Sequence, residues 1–208
     1  MTVEKGVDWG TTGPAPDDLV VVHTDAEARA AVASARDAGR PLPALGLLGG
    51  DLARTLGGGR PGGRGDDAAR LRESGSLATV DLGIATIDGV AHPFVAHLVA
   101  RRSWWRGRVV AVMNAQFVGR WDVAPRAHPG DGRVDVLDGD LGPGDRWKAR
   151  SRLPAGTHVP HPGIRQARAA RWEATFDRPT PIRLDGELVA TARHVEVTVE
   201  PDVLRVVV

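Results

Sequence analysis

The sequence predicts an α+β fold: a short α/β, Rossmann-like layer followed by a larger antiparallel β-sandwich. Three observations carry this. Residues 19–56 alternate short apolar runs with helical segments, as a parallel α/β layer does. Residues 57–67 read Gly-Gly-Gly-Arg-Pro-Gly-Gly-Arg-Gly-Asp-Asp, and no packed element fits them. From Ser76 the hydrophobic period becomes two, and short strands recur with turn signals between them. The expected divisions are a loose arm (1–18), the α/β layer (19–56), a Gly-rich linker (57–75) and the sandwich domain (76–208).

The first 18 residues are Gly-, Pro- and Asp-rich without apolar period. Leu19 to Val22 is a β-branched run suited to a buried strand. Thr24 or Asp25 can cap the Ala-rich helix that follows, Ala26 to Ala38, and Glu27 adds first-turn negative charge. Gly39 stands where a helix C′ glycine would, and Pro41 and Pro43 forbid continuation. Leu45 to Leu48 reads as a second strand. Gly49-Gly50 reads as a turn, with Asp51 able to cap a short helix from Leu52 to Leu56.

In the second part, Ala78 to Ile87 alternates, with Val80, Leu82 and Ile84 on one side. Asp88-Gly89 is a hairpin signal. Phe94 to Val99 returns from it, and Arg108 to Phe117 and Val134 to Leu137 are further strands. Ile182 to Leu184, Leu188 to Ala190, Val195 to Val199 and Val203 to Val208 complete the set. Asp185-Gly186 and Pro201-Asp202 are their turns. The helical content expected here is small, around Gly163 to Ala170.

Composition excludes several functions. The 208 residues carry 27 Lys+Arg and 26 Asp+Glu, a net charge of +1, so no nucleic-acid partner is expected. Cys is absent, which removes disulfides, thiolate zinc sites and a Cys nucleophile. No uncharged apolar stretch approaches the roughly 20 residues of a membrane span, and no signal peptide is visible. Only Lys5 and Lys148 are Lys; the remaining cations are Arg, as in a protein from a GC-rich genome.

Five constellations can carry chemistry or binding. Gly49 and Gly50, between a strand and a helix start, can offer backbone N–H groups to a phosphate, or form a tight turn capped by Asp51. Asp131-Gly132-Arg133 can place a carboxylate beside loop carbonyls for a hard cation, or form an Asx turn into a strand. Asp185-Gly186-Glu187 can supply a general base, or be a hairpin tip with solvated carboxylates. His158 and His161 are spaced for one metal but have no third ligand near, so a rigid loop is the plainer reading. Trp104-Trp105, before Arg106 and Arg108, can form a lipid-interface or stacking feature, or a buried core pair.

These pieces occur in a recognisable order. The stretch from Val112 to Val136, VMNAQFVGRWDVAPRAHPGDGRVDV, resembles the N-x-x-x-x-G-G-G-x-x-x-A-P-x-A-x-x-x-D-G-x-L-D-V element of the diacylglycerol kinase and bacterial lipid kinase family, which shares its fold with NAD kinases. Gly119 alone remains of its three central glycines. His161-Pro162-Gly163 and Pro181-Ile-Arg-Leu-Asp-Gly-Glu187 resemble two further elements, and the closing strands match as well. The resemblance covers about residues 76–208 and implies a sandwich of the lipid kinase C-terminal type. It implies a structural Mg²⁺ on Asp131 with the carbonyls of His128 and Arg133. It places Asp185 or Glu187 as the base that activates a lipid hydroxyl toward ATP.

The N-terminal side departs from that family. Asp25 aligns with the Asp of its G-G-D-G-T motif, but the glycines and the Gly-Thr are gone. The second nucleotide motif survives only as Gly49-Gly50-Asp51-Leu52-Ala53-Arg54, and preceding strands are missing. Side chains at His23, Thr24 and Ala26 would crowd a phosphate. The resemblance therefore implies a degenerate member with a truncated nucleotide domain. It would be weak or inactive as a kinase, and would bind a lipid, a small molecule or a protein. The alternative is an active ATP- and Mg²⁺-dependent lipid kinase, its nucleotide cradle completed by another subunit. A purely structural role through the sandwich is the third reading. A homodimer through the sandwich and a cytoplasmic location, with peripheral contact to the membrane, complete the expectations.

Overall fold

The computed structural model describes residues 10–58 and 67–208. The first nine residues of the expected arm and residues 59–66 of the Gly-rich stretch lie outside them.

The α/β part begins with β2 (Val20–Val22), after a short β1 (Thr11–Gly13). Helix α1 (Asp25–Asp37) opens on Thr24, whose hydroxyl accepts from the Glu27 N–H at 3.1 Å. It closes in a Schellman motif. Gly39 takes a left-handed φ of +61°, while Gly39 N–H and Arg40 N–H return to the Arg36 and Ala35 carbonyls. Strand β3 (Leu45–Leu47) and helix α2 (Asp51–Thr55) follow. Ala28 and Val32 of α1 and Leu52 and Ala53 of α2 face one apolar core with β3.

That core is not closed by the α/β part alone. Strand β4 (Gly75–Ile87) and the last strand, β13 (Glu187–Val207), run long and lend it their ends. β3 pairs parallel with β2 on one side and with β13, at Val206↔Leu45, on the other. One face of β4 (Ala78, Val80, Leu82, Ile84) packs into this core. From its other face, Ala85 and Ile87 enter the sandwich core. β1 also pairs with β4, at Thr11↔Leu77, so part of the expected arm is a strand.

The sandwich contains β5 (Val90–Phe94), β6 (His97–Arg101), β7 (Val109–Met113), β10 (Val134–Gly139), β11 (Ile164–Ala169) and β12 (Arg171–Leu184). They form one folded sheet in the order β1-β4-β13-β12-β6-β7-β10-β11, antiparallel within the sandwich. Val110 and Val112 of β7 and Val134 and Val136 of β10 meet Val195 and Val197 of β13 across the core. A two-stranded ribbon, β8 (Phe117–Val118) with β9 (Trp121–Asp122), leans on α2. The expected α+β class, with its dominant antiparallel sandwich, is what the chain forms.

Four expectations are corrected. Residues 67–74, placed in the linker, form helix α3 (Asp67–Ser74), which buries Leu71. Gly163 to Ala170 is not helical: Ile164–Ala169 is β11, which pairs with the outer edge of β10. The helix of this region is α4 (Pro143–Arg152), hidden in the sequence because its single buried side chain is Arg146. Finally, Pro201-Asp202 is a bulge inside β13, where register shifts between Glu200 and Leu204. Asp81 of β4 holds that bulge: its buried carboxylate accepts from Asp202 N–H at 3.0 Å and Gly132 N–H at 2.7 Å.

Candidate functional site

The expected strand Phe94–Val99 is broken in two, and the break shows where the polar groups gather. Asp185 opens the β12–β13 turn in a left-handed conformation, φ +52°. It is not a solvated hairpin tip: its side chain is buried. Its carboxylate accepts from the Val95, Ala96 and His97 N–H groups at 3.0, 2.8 and 3.1 Å. Those three amides are thereby taken from any strand ladder, and β5 ends before β6 begins.

Asp25 and Asp51 reach the same place from the α/β side. Asp25, at the start of α1, is buried, and its carboxylate accepts from Asp51 N–H at 2.5 Å and Leu52 N–H at 3.1 Å. Asp25 therefore caps α2 from another helix. Asp51 was expected to serve as that cap; its side chain instead takes Gly119 N–H at 2.9 Å and lies 3.0 Å from His97 Nε2. The two glycines are required by this approach. Gly49 carries no Cβ because one would sit 2.5 Å from the His23 carbonyl oxygen. Gly50 holds φ +98°, and a Cβ there would run into the Asp25 carboxylate.

Asp25, Asp51 and His97 bring one ligand atom each within 4.8 Å of one another. Arg29, one helical turn after Asp25, ion-pairs with Glu187 and places its Nε 3.9 Å from Asp185. The carboxylates of Asp25, Asp51, Asp185 and Glu187 thus surround one imidazole and one guanidinium. Burial raises Asp25 to about 6; the Asp51 N–H opposes the shift and the Asp185 charge adds to it. Burial also raises Asp185, against His97 and the three amides. For His97 burial works downward, but the Asp51 bond and the charges of Asp185, Asp51 and Asp25 outweigh it and raise the group. For Asp51 burial works upward, and the His97 and Gly119 bonds outweigh it, so Asp51 is lowered. The two shifts are opposite in sign, and each group favours the charged form of the other.

The donors of this cluster do not fit a phosphate. The free N–H groups at the start of α2 are occupied by the Asp25 carboxylate, and the surrounding charge is mainly negative. The cluster offers ligand types that metals use, but its carboxylate oxygens already receive the chain's own donors.

The other expected residues lie apart. Asp131 Oδ1 accepts from Arg133 N–H at 3.0 Å, an Asx turn. The second oxygen of Asp131 ion-pairs with the Arg168 guanidinium of β11. His128 Nδ1 accepts from Gly130 N–H at 3.3 Å, and burial and Arg168 lower its pKa. A guanidinium stands against the carboxylate that Mg²⁺ would need, so these residues do not fit the ion as arranged. His161 Nδ1 accepts from Gly163 N–H at 3.0 Å, whereas His158 is buried beside Val123. Trp104 packs edge-on against Trp121, but Trp105 is 60% exposed and is no core residue.

His97, Arg29 and Asp81 carry much of this architecture and were not singled out from sequence. Arg29 was legible in principle, four residues after Asp25 on one helix face. Asp81 was legible as a lone charge inside an apolar strand. His97 had no signal, since its partner is 46 residues away.

The YegS C-terminal NAD kinase beta sandwich-like domain family matches residues 68–208. Among solved structures, a diacylglycerol kinase from Bacillus anthracis str. Sterne superposes at TM-score 0.67 with 15% identity, over 91% of this chain and 77% of that one. Two further structures from that organism, assigned to the same enzyme class, give TM-scores of 0.65 and 0.67 at 15% and 14% identity. They cover 91% of this chain and 78% and 76% of theirs. No curated protein sequence matches the chain. A sandwich core and a polar cluster at its junction with an α/β layer accompany a family match over more than half of the sequence; the chain belongs to the family of the YegS C-terminal NAD kinase beta sandwich-like domain.

Proposed function

We propose that this chain is a degenerate lipid kinase family member that by itself transfers no phosphate and acts by binding. The observation that carries the reading is the filled cradle. Phosphoryl transfer depends on donors and cations that position the nucleotide. Here the α2 amides are capped by Asp25, and Asp51 is paired with His97 in the same space. An incoming triphosphate would have to displace a buried carboxylate and then face two more.

Thermal unfolding with millimolar ATP or ADP plus Mg²⁺ tests this, together with transfer to diacylglycerol in mixed micelles. The expected result is no shift and no product. Binding to the folded state at a hundredfold excess over Kd adds about 2.7 kcal/mol, several degrees for a chain of this size. A Mg²⁺-dependent shift of that order would overturn the reading.

One observation favours the alternative of an active kinase completed by another subunit. Asp185, Arg29 and Glu187 stand together, and the resemblance implies Asp185 or Glu187 as the base. In that case a second chain carrying an intact nucleotide motif would restore transfer, and Asp185→Asn would abolish it.

A further inference from the structure

A second feature of the surface lies at the opposite end of β6 from His97. Arg101 at the end of β6 and the β6–β7 loop, residues 102–108, together carry Arg101, Arg102, Arg106 and Arg108 with Trp104 and Trp105, and no acid. Helix α4 beside it carries Arg146, Trp147, Lys148, Arg150 and Arg152 against Asp145. The two segments form one surface. The Arg150 guanidinium lies 5.2 Å from the ring centres of both Trp105 and Trp121, and Arg101 lies 3.8 Å from that of Trp104.

Its apolar residues are placed where burial would not put them. Trp105 is 60% exposed and Trp147 67%, more than any other large hydrophobic side chain among the described residues. Behind Trp105 lies a cavity of about 130 Å³, lined by Val99, Trp104, Trp121, Leu137 and Leu153 among others. Some cations have internal work: Arg146 bonds the Leu141 carbonyl at 2.7 Å, and Arg108 pairs with Asp138 at 2.8 Å. Arg102, Arg106 and Arg152 form no ion pair among the described residues, and Lys148 reaches only Asp145, at 3.5 Å. Cations without an acidic partner thus stand around two exposed indoles, in a chain whose net charge is only +1.

We propose that this face docks on an anionic lipid bilayer. Indoles settle at the headgroup level, where the ring is apolar and the N–H is wet. Unpaired cations beside them are attracted to anionic headgroups, each strengthening partitioning about fivefold. An acidic protein would match the charge but leaves two indoles at the rim without a stated partner. The inference supplies a partner for the binding role proposed above and rests on it. The vesicle assay contains no nucleotide, so its outcome is separate from that of the nucleotide titration.

Co-sedimentation of the full chain with phosphatidylcholine vesicles, with and without phosphatidylglycerol, tests it at low and high salt. Binding to the anionic vesicles is expected to be at least about tenfold tighter and to weaken as salt rises. Tryptophan emission should shift to the blue on binding. Trp105→Ala with Trp147→Ala, both exposed, should keep the unfolding temperature and lose most binding. Arg102→Glu with Arg106→Glu should lose the preference for anionic vesicles. Equal or absent binding to both vesicle types would overturn the proposal. So would wild-type binding by either double variant, or equally tight binding of heparin, which would mark a general polyanion surface.

Discussion

Replacing Asp25 by Asn isolates the electrostatics on which the site rests. The ordinary value of this carboxyl is 3.8, and burial raises it to about 6 in the folded chain. Between those values the folded state keeps a proton that the unfolded state has released. The stability linked to Asp25 is therefore fully present below the unfolded value and is lost as pH rises through about 6. A difference of about two units at about 1.4 kcal/mol each is roughly 3 kcal/mol. For a domain of this size that is about 6–12 °C in Tm. The Asp25→Asn variant cannot ionise. It keeps one carbonyl acceptor for the α2 amides and turns an NH2 group toward the other, a cost independent of pH. Both proteins would be unfolded thermally by circular dichroism from pH 4 to 8. Asp185 and His97, raised, lose stability in the same direction, and Asp51, lowered, loses it as pH falls. These groups are common to both proteins and cancel in the difference to first order. The advantage of the wild type over the variant is expected to shrink by about 6–12 °C between pH 4 and 7.5. A constant gap would show that Asp25 titrates like a surface carboxylate, and the dominance of burial over its amide bonds would be refuted.

Two further outcomes follow from the same geometry. Gly50→Ala forces a Cβ into the Asp25 carboxylate at a left-handed φ, and the loss should be about 3 kcal/mol in urea unfolding; an unchanged midpoint refutes the close approach. Wild-type Tm should be indifferent to Mg²⁺ and to chelator, because Arg168 already neutralises Asp131, whereas Arg168→Gln should make Tm rise with Mg²⁺; the reverse pattern refutes the guanidinium reading.

Much of the architecture was legible in local pattern. Thr24, Gly39 and Gly57 mark helix ends through capping and left-handed backbone, which depend on neighbours a few residues away. The alternation in Ala78–Ile87 is a strand whose two faces enter two cores. Helix α4 was missed because it buries Arg146 through carbonyl bonds rather than an apolar stripe, and β11 because its alternation is polar and edge-bound.

By itself the sequence determined the order of elements, the dominance of the antiparallel sandwich and the family resemblance, since these follow from periodicity, turn chemistry and motif spacing. It also brought Asp25, Gly50, Asp51, Asp185 and Glu187 to attention, but with roles that each residue type could fill several ways. Only the tertiary structure decided among them. A carboxylate 26 residues away caps α2, a histidine without sequence signal takes Asp51, and an arginine of another strand takes Asp131. Which donor meets which acceptor is set by long-range packing, and a buried carboxylate binds whatever donor the folded chain places against it.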